Sequence, residues 1–350
     1  MILLYLFFAL VLGLCVIEYE GRISYIILIL IMFLLMGFMV TNVDMAAYQR
    51  MFDVVEGKNT IATTDIGFGL LMYIAKSFGL SYFDFVRMVT IIGLTLITIV
   101  FHKHSICPAL VLALYFVFAF SAETIQLRAF LAEGVLYLTI IDIVERGRVN
   151  LIHYGITMII ALMLHGSSIF FCLLLILCFV TDRKKLLALV ACMCTAMPFI
   201  NVILSVVPIA SVRNKIEIYL MGQRSSISMA AIIYVLLYLL ITVFLVYLDN
   251  RETDMQWHNN LNMLIKIHYI CLLSCVMILV FTSNFYRITR TIIVVDFIVL
   301  GNYFITKKLI NRNNAIIYAA GLMAFFLVFE SVTGGWASIM SNNYIFGSLM

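Results

Sequence analysis

A set of cations lies apart from the dense basic clusters of this chain: Arg50, Arg128, Arg213, Lys215, Arg224, Arg287 and Arg290. Arg128 opens an apolar run in Glu123-Thr124-Ile125-Gln126-Leu127-Arg128, and Arg287 and Arg290 flank a helix start in Asn284-Phe285-Tyr286-Arg287-Ile288-Thr289-Arg290. An arginine at membrane depth is costly and usually faces a cavity or a partner. Its planar guanidinium suits bidentate binding of phosphate oxygens, and a lipid-linked pyrophosphate presents its charge at that depth. The competing reading is snorkelling to lipid headgroups. Glu133 and Asp296 stand inside apolar runs, as catalytic carboxylates or as members of internal ion pairs; either role turns them inward. His165 is a candidate general base or a hydrogen-bonding partner for a sugar hydroxyl, with a purely structural hydrogen bond as the alternative. Asp44 and Asp65 are candidate acid/base groups or metal ligands, with ordinary loop carboxylates as the alternative.

The elements that position these residues must lie in lipid. The 350 residues are 65% hydrophobic and 11% charged, with a mean hydropathy of +1.13. A soluble domain carries about 25% charged and about 45–50% apolar residues. A net charge of +4 is no nucleic-acid footprint. The eight cysteines lie mostly in apolar runs. Cys192/Cys194 and Cys271/Cys275 lack the spacing and polar neighbours of a zinc site and read as small membrane-buried thiols. Met1 to Ile17 lacks a basic start and a small-residue cleavage site, and reads as a retained first helix.

A crossing helix needs about 20 apolar residues, with a range of about 17–25. Division at charged clusters predicts crossings near 2–17, 23–41, 86–101, 105–121, 129–144, 151–164, 166–180, 186–208, 229–248, 264–281, 291–306 and 315–333. The expected fold is all-α: a polytopic transmembrane bundle of about 12 crossings forming a single integral membrane domain over 1–350. Arg146/Arg148, Arg183-Lys184-Lys185 and Lys307/Lys308/Arg312 mark cytoplasmic loops. Both termini are then outside, with external loops near 42–85, 122–128, 209–228 and 282–290. His102-Lys103-His104 falls in a solvated cytoplasmic turn.

Segment 149–181 has no Asp, Glu, Lys or Arg, yet both flanks are basic. Two cytoplasmic flanks require an even number of crossings, and His165-Gly166-Ser167-Ser168 is the one break. A single tilted helix puts one basic flank outside. Each arm of a hairpin has about 15 residues, or about 22 Å against a core of about 30 Å. The tip is therefore expected in a recess, with Gly166 permitting a tight turn. In the first external loop, Lys76 and Asp84 interrupt the apolar stretch after Asp65. That stretch predicts an interfacial or re-entrant helix.

Five short elements, in this order, resemble the EpsG-like, Wzy-type bacterial polysaccharide polymerases over nearly the whole chain. They are Asp44…Tyr48, Asp65-Ile66-Gly67-Phe68, Gln126-Leu127-Arg128-Ala129-Phe130-Leu131-Ala132, Ala161-Leu162-Met163-Leu164-His165-Gly166-Ser167-Ser168 and Tyr286-Arg287. The family pattern often has an apolar residue where Gln126 stands and Gln where Ala129 stands. The resemblance implies a GT-C-like glycosyltransferase on the outer face of the bacterial cytoplasmic membrane. Its donor and acceptor would be undecaprenyl-pyrophosphate-linked glycans, its partners the bilayer, a chain-length regulator and a flippase, and it would need no nucleotide sugar, metal or cofactor. His165, Arg128, Arg287 and Asp44 are its implied catalytic residues. Tyr48, Asp65, Gln126, Glu133, Tyr286, Arg290, Arg213 and Arg224 are its implied substrate contacts.

A ligase with the same donor and another acceptor shares this chemistry. A transporter or lipid-linked glycan flippase instead expects repeat symmetry and cations along a full-depth path. Neither is evident, and the charges gather at the external ends.

Overall fold

The computed structural model describes residues 2–55, 65–199, 229–281, 283–311, 314–333 and 335–346. The apolar runs form helices, because a helix satisfies its own backbone hydrogen bonds where lipid offers none. In chain order these are α1 (Ile2–Ile17), α2 (Arg22–Gly37), α3 (Met45–Val54), α4 (Ile66–Ser77), α5 (Tyr82–His104) and α6 (Pro108–Tyr115). Then come α7 (Leu127–Arg146), α8 (Leu151–Leu164), a 3-10 helix over Gly166–Cys178, and α9 (Arg183–Ala196). The last are α10 (Met229–Asp249), α11 (Met255–Val280), α12 (Tyr286–Thr306), α13 (Ala315–Thr333) and α14 (Gly335–Ser341). No strand occurs among the described residues, only an isolated bridge between Met39 and Asn343.

Helix starts depart from expectation where a cap recruits extra residues. Asp84, read from sequence as an interruption, lies in the first turn of α5. There it exchanges hydrogen bonds with Ser81 in a capping box, a sequence-readable pattern. Asp254 likewise accepts from Gln256 N–H at 2.9 Å and Trp257 N–H at 3.3 Å, so α11 begins well before 264. The segment after α6 winds as a π-helix over Phe116–Phe120, a form often found near functional sites. The 13-residue 3-10 helix changes the expected arm length. At about 2.0 Å rise per residue it extends about 26 Å.

The chain divides into two compact units. The first comprises Met1–Thr139, Ile152–Ile169 and Val294–Met350. There α1 packs on α13 and α2 on α5. A Cβ at Gly93 of α5 would overlap the buried Phe130 ring of α7, and one at Gly134 of α7 would meet Leu96 Cβ of α5 at 3.2 Å. These reciprocal notches let the two helices approach closely. Asn343 joins the two ends of the unit. Its Nδ2 donates to the carbonyls of Leu34 and Leu35, both at 2.9 Å, and its Oδ1 accepts from the N–H groups of Ile345 and Phe346. Trp336 stacks on Phe116 with ring centroids 4.3 Å apart.

The second unit comprises Ile140–Leu151 and Phe170–Ile293. In it α9 and α10 both pack on α11. The fully buried His268 stacks on Tyr238 and meets Thr242 Oγ1 at 2.7 Å through Nδ1. Asp249 pairs with Arg183, and His258 Nδ1 lies 2.9 Å from its second oxygen.

Candidate active site

The two short helices of the first long loop build the frame of the site. Phe68 of α4 is fully buried between Tyr48 of α3 and Phe85 of α5, with centroids at 5.7 and 5.5 Å. Lys76, near the end of α4, donates to the carbonyls of Phe52 (3.3 Å) and Asp53 (2.7 Å). A cation there complements the C-terminal dipole of α3 and fastens α4 to it. Gly67 explains the glycine of the Asp65-Ile66-Gly67-Phe68 element. A Cβ at that position would sit 3.0 Å from the backbone carbon and oxygen of Met163, so only glycine lets α4 lie this close to the end of α8.

That approach brings Asp65, just ahead of α4, to the His165-Gly166 junction. Asp65 Oδ2 accepts from Arg128 Nη1 at 3.0 Å and lies 3.5 Å from His165 Nδ1. Asp65 Oδ1 accepts from the Gly166 N–H at 3.3 Å. The Arg128 guanidinium stands 5.5 Å from the centre of the Tyr48 ring, within cation–π range. The three side chains are half-buried, at 26% exposure for Arg128, 23% for Asp65 and 14% for His165. This suits groups that must both hold their geometry and admit a substrate. His165 Nε2 is buried without a hydrogen-bond partner among the described residues.

The charges are mutually consistent. Burial pushes the Asp65 carboxyl up, but the hydrogen bond with His165, the charge of Arg128 and the Gly166 N–H outweigh it, so the carboxyl lies below its usual value and is ionised at neutral pH. Burial also raises the Tyr48 phenol; the Arg128 charge opposes this without reversing it, and the phenol stays neutral. Gly166 does not act through a left-handed backbone. Among the described residues positive φ occurs at Gly79, Gly147 and Lys308. Gly166 contributes its N–H instead, and a Cβ there would make only ordinary contact with Asp65 Oδ1, at 3.4 Å.

The other candidate residues distribute as follows. Asp44 precedes α3, and its carbonyl accepts from the Tyr48 N–H at 3.0 Å. Gln126 is buried at the start of α7. Glu133 is buried with Tyr137, whose hydroxyl lies 3.1 Å from both Glu133 and Glu123; Tyr115 bonds the other oxygen of Glu123. Tyr286, Arg287 and Arg290 belong to the second unit. Tyr286 stacks on Tyr234, and the fully buried Arg290 lies over the Tyr286 ring at 5.6 Å. Arg213 and Arg224 lie outside the described residues. Glu123 and Tyr115 were not singled out from sequence, since a carboxylate at a loop edge gives no sign of burial. Among the described residues, no three His, Cys, Asp or Glu side chains gather as metal ligands would.

Among the described residues, four helices are long and apolar enough to cross a bilayer: Tyr82–His104, Ala231–Asp249, Met255–Val280 and Tyr286–Thr306. Shorter apolar helices accompany them, and together they define an all-helical membrane protein. The EpsG family model matches residues 22–344. The chain belongs to the EpsG family, that of the EpsG-like polysaccharide polymerases. Membership implies a glycosyltransferase-like polymerase in a membrane. No curated protein and no solved structure matches the chain.

Proposed function

We propose that the chain polymerises undecaprenyl-pyrophosphate-linked oligosaccharide repeat units on the outer face of the bacterial cytoplasmic membrane, building an O-antigen, capsule or exopolysaccharide. The observation that carries this reading is the meeting of Arg128 and His165 at one carboxylate, Asp65. An acceptor sugar hydroxyl attacks the anomeric carbon of the donor glycan. The bond to the pyrophosphate breaks, and the electron pair leaves with undecaprenyl pyrophosphate. Arg128 meets the charge that develops on the leaving oxygens, and His165 takes the hydroxyl proton. Because the pyrophosphate is already a good leaving group, the step needs no nucleotide sugar and no metal.

The accompanying topology is a GT-C-like bundle of about 12 crossings with both termini outside. Contacts inside the first unit support it. Residues assigned to the cytoplasmic side meet each other, as in Tyr19 with Ala109 and His104 with Asn302. Residues assigned to the outer side do likewise, as in Phe38 with Tyr344, Asn42 with Thr124, and Asp65 with Arg128. A chain-length regulator and a flippase are the proposed protein partners.

The test is the lipid-linked material that accumulates when the gene is deleted. Single repeat units on undecaprenyl pyrophosphate at the outer face are expected. Unattached long polymer would indicate a ligase, and single units confined to the cytoplasmic face a flippase.

A further inference from the structure

We propose that Asp65 is the positioning residue of the site: it holds Nδ1 of His165 in the protonated form, so that Nε2 is the nitrogen that receives the acceptor proton. The inference rests on the polymerase reading above and assigns within it a role to a carboxylate otherwise counted as a substrate contact.

The two ring nitrogens of His165 have different surroundings. Nδ1 faces Asp65 Oδ2 at 3.5 Å, whereas Nε2 has no hydrogen-bond partner among the described residues. A carboxylate only accepts hydrogen bonds, so the ring nitrogen facing it must carry the proton. The other nitrogen then presents its lone pair. Asp65 is itself oriented by two further donors, Arg128 Nη1 on Oδ2 and the Gly166 N–H on Oδ1. The Gly166 contact ties the carboxylate to the residue that follows the imidazole, so carboxylate and ring keep a common frame. Catalytic hydrogen bonds are commonly long before substrate binds and tighten in the complex. Asp65 has no need to contact substrate for this task, which explains why its two oxygens are both engaged inside the protein.

Two measurements on the full-length protein in lipid nanodiscs test the assignment. Solid-state NMR of 15N-histidine-labelled protein reports the tautomer, the His165 signals being those lost in His165→Gln. Protonated Nδ1 with bare Nε2 is expected in the wild type, shifting to the opposite tautomer in Asp65→Asn, whose amide donates to the ring. For polymerisation, the probe is the lipid-linked single unit extracted from the deletion strain. Asp65→Asn should lower kcat by at least about 10²-fold, by analogy with the Asp→Asn change in a Ser-His-Asp triad, while the donor KM stays within about threefold; Asp65→Glu should recover part of the loss. A protonated Nε2 in the wild type, or wild-type kcat in Asp65→Asn, overturns the proposal. Wild-type activity of His165→Gln together with the expected tautomer overturns instead the reading of His165 as the base and leaves the pairing standing.

Discussion

Replacement of Arg128 by Ala is expected to remove nearly all polymer while leaving the protein at normal abundance in the membrane. The guanidinium is tied directly to the Asp65–His165 pair by the 3.0 Å bond to Asp65. It also stands over the Tyr48 ring, within cation–π range. Removing one preorganised donor from a developing oxyanion costs about 10²–10³-fold in turnover. Loss of an arginine that clamps a transferring phosphoryl group costs about 10³–10⁵-fold. A fall of about 10³-fold is therefore expected for Arg128→Ala. The ion pair it breaks is partly solvated and contributes at most about 1 kcal/mol to folding, so loss of activity should not be loss of protein. Arg128→Lys should restore less than about a tenth of the activity, because an ammonium offers no planar fork. Quantifying polymer and membrane-embedded protein from the same cells decides the matter, and wild-type polymer in Arg128→Ala would remove the residue from the site.

His165→Gln is the second large effect. Glutamine keeps hydrogen bonding but has no basicity near neutral pH, and loss of a general base typically costs about 10²–10⁴-fold. The comparison is best made across pH 6 to 8, which brackets the free imidazole value of about 6.5. Asp65 does not confuse that window. Its carboxyl lies below its ordinary value, so the stability it contributes is present above the unfolded value of about 3.9 and is lost only as pH falls through the lower folded value. A loss of that size at every pH from 6 to 8 in His165→Gln is the expected result. Wild-type rates in the variant throughout that range would make His165 structural.

The helical plan of this protein is written in its apolar periodicity, and the runs at 2–17, 151–164 and 315–333 emerge as helices with those bounds. The discrepancies arise where a polar residue serves the backbone rather than solvent. Asp84 and Asp254 look like breaks in an apolar run, yet each caps the helix that it was expected to precede. The site was less legible. Arg128 draws notice as a cation at a helix start, and His165 as the tip of a charge-free hairpin, for unrelated reasons. Nothing local links them, because Asp65 is 63 residues from one and 100 from the other. The link depends on Gly67, whose missing side chain admits the backbone of Met163, and a glycine in a loop element does not announce which segment will approach it. Glu123 was equally silent, since its burial comes from tyrosines on α6 and α7.

The reciprocal notches at Gly93 and Gly134 also bear on how this protein can change by descent. A Cβ at 93 would stand 2.0 Å from the fully buried ring of Phe130, two residues along the helix from Arg128, so the ring must shift to admit it. A lineage therefore enlarges position 93 most readily after, or together with, shrinking position 130. The two sites form an allelic pair: in a selection for restored polymer, revertants of a Gly93→Ala strain should include smaller residues at 130, while the same changes at 130 alone leave a cavity and confer no benefit.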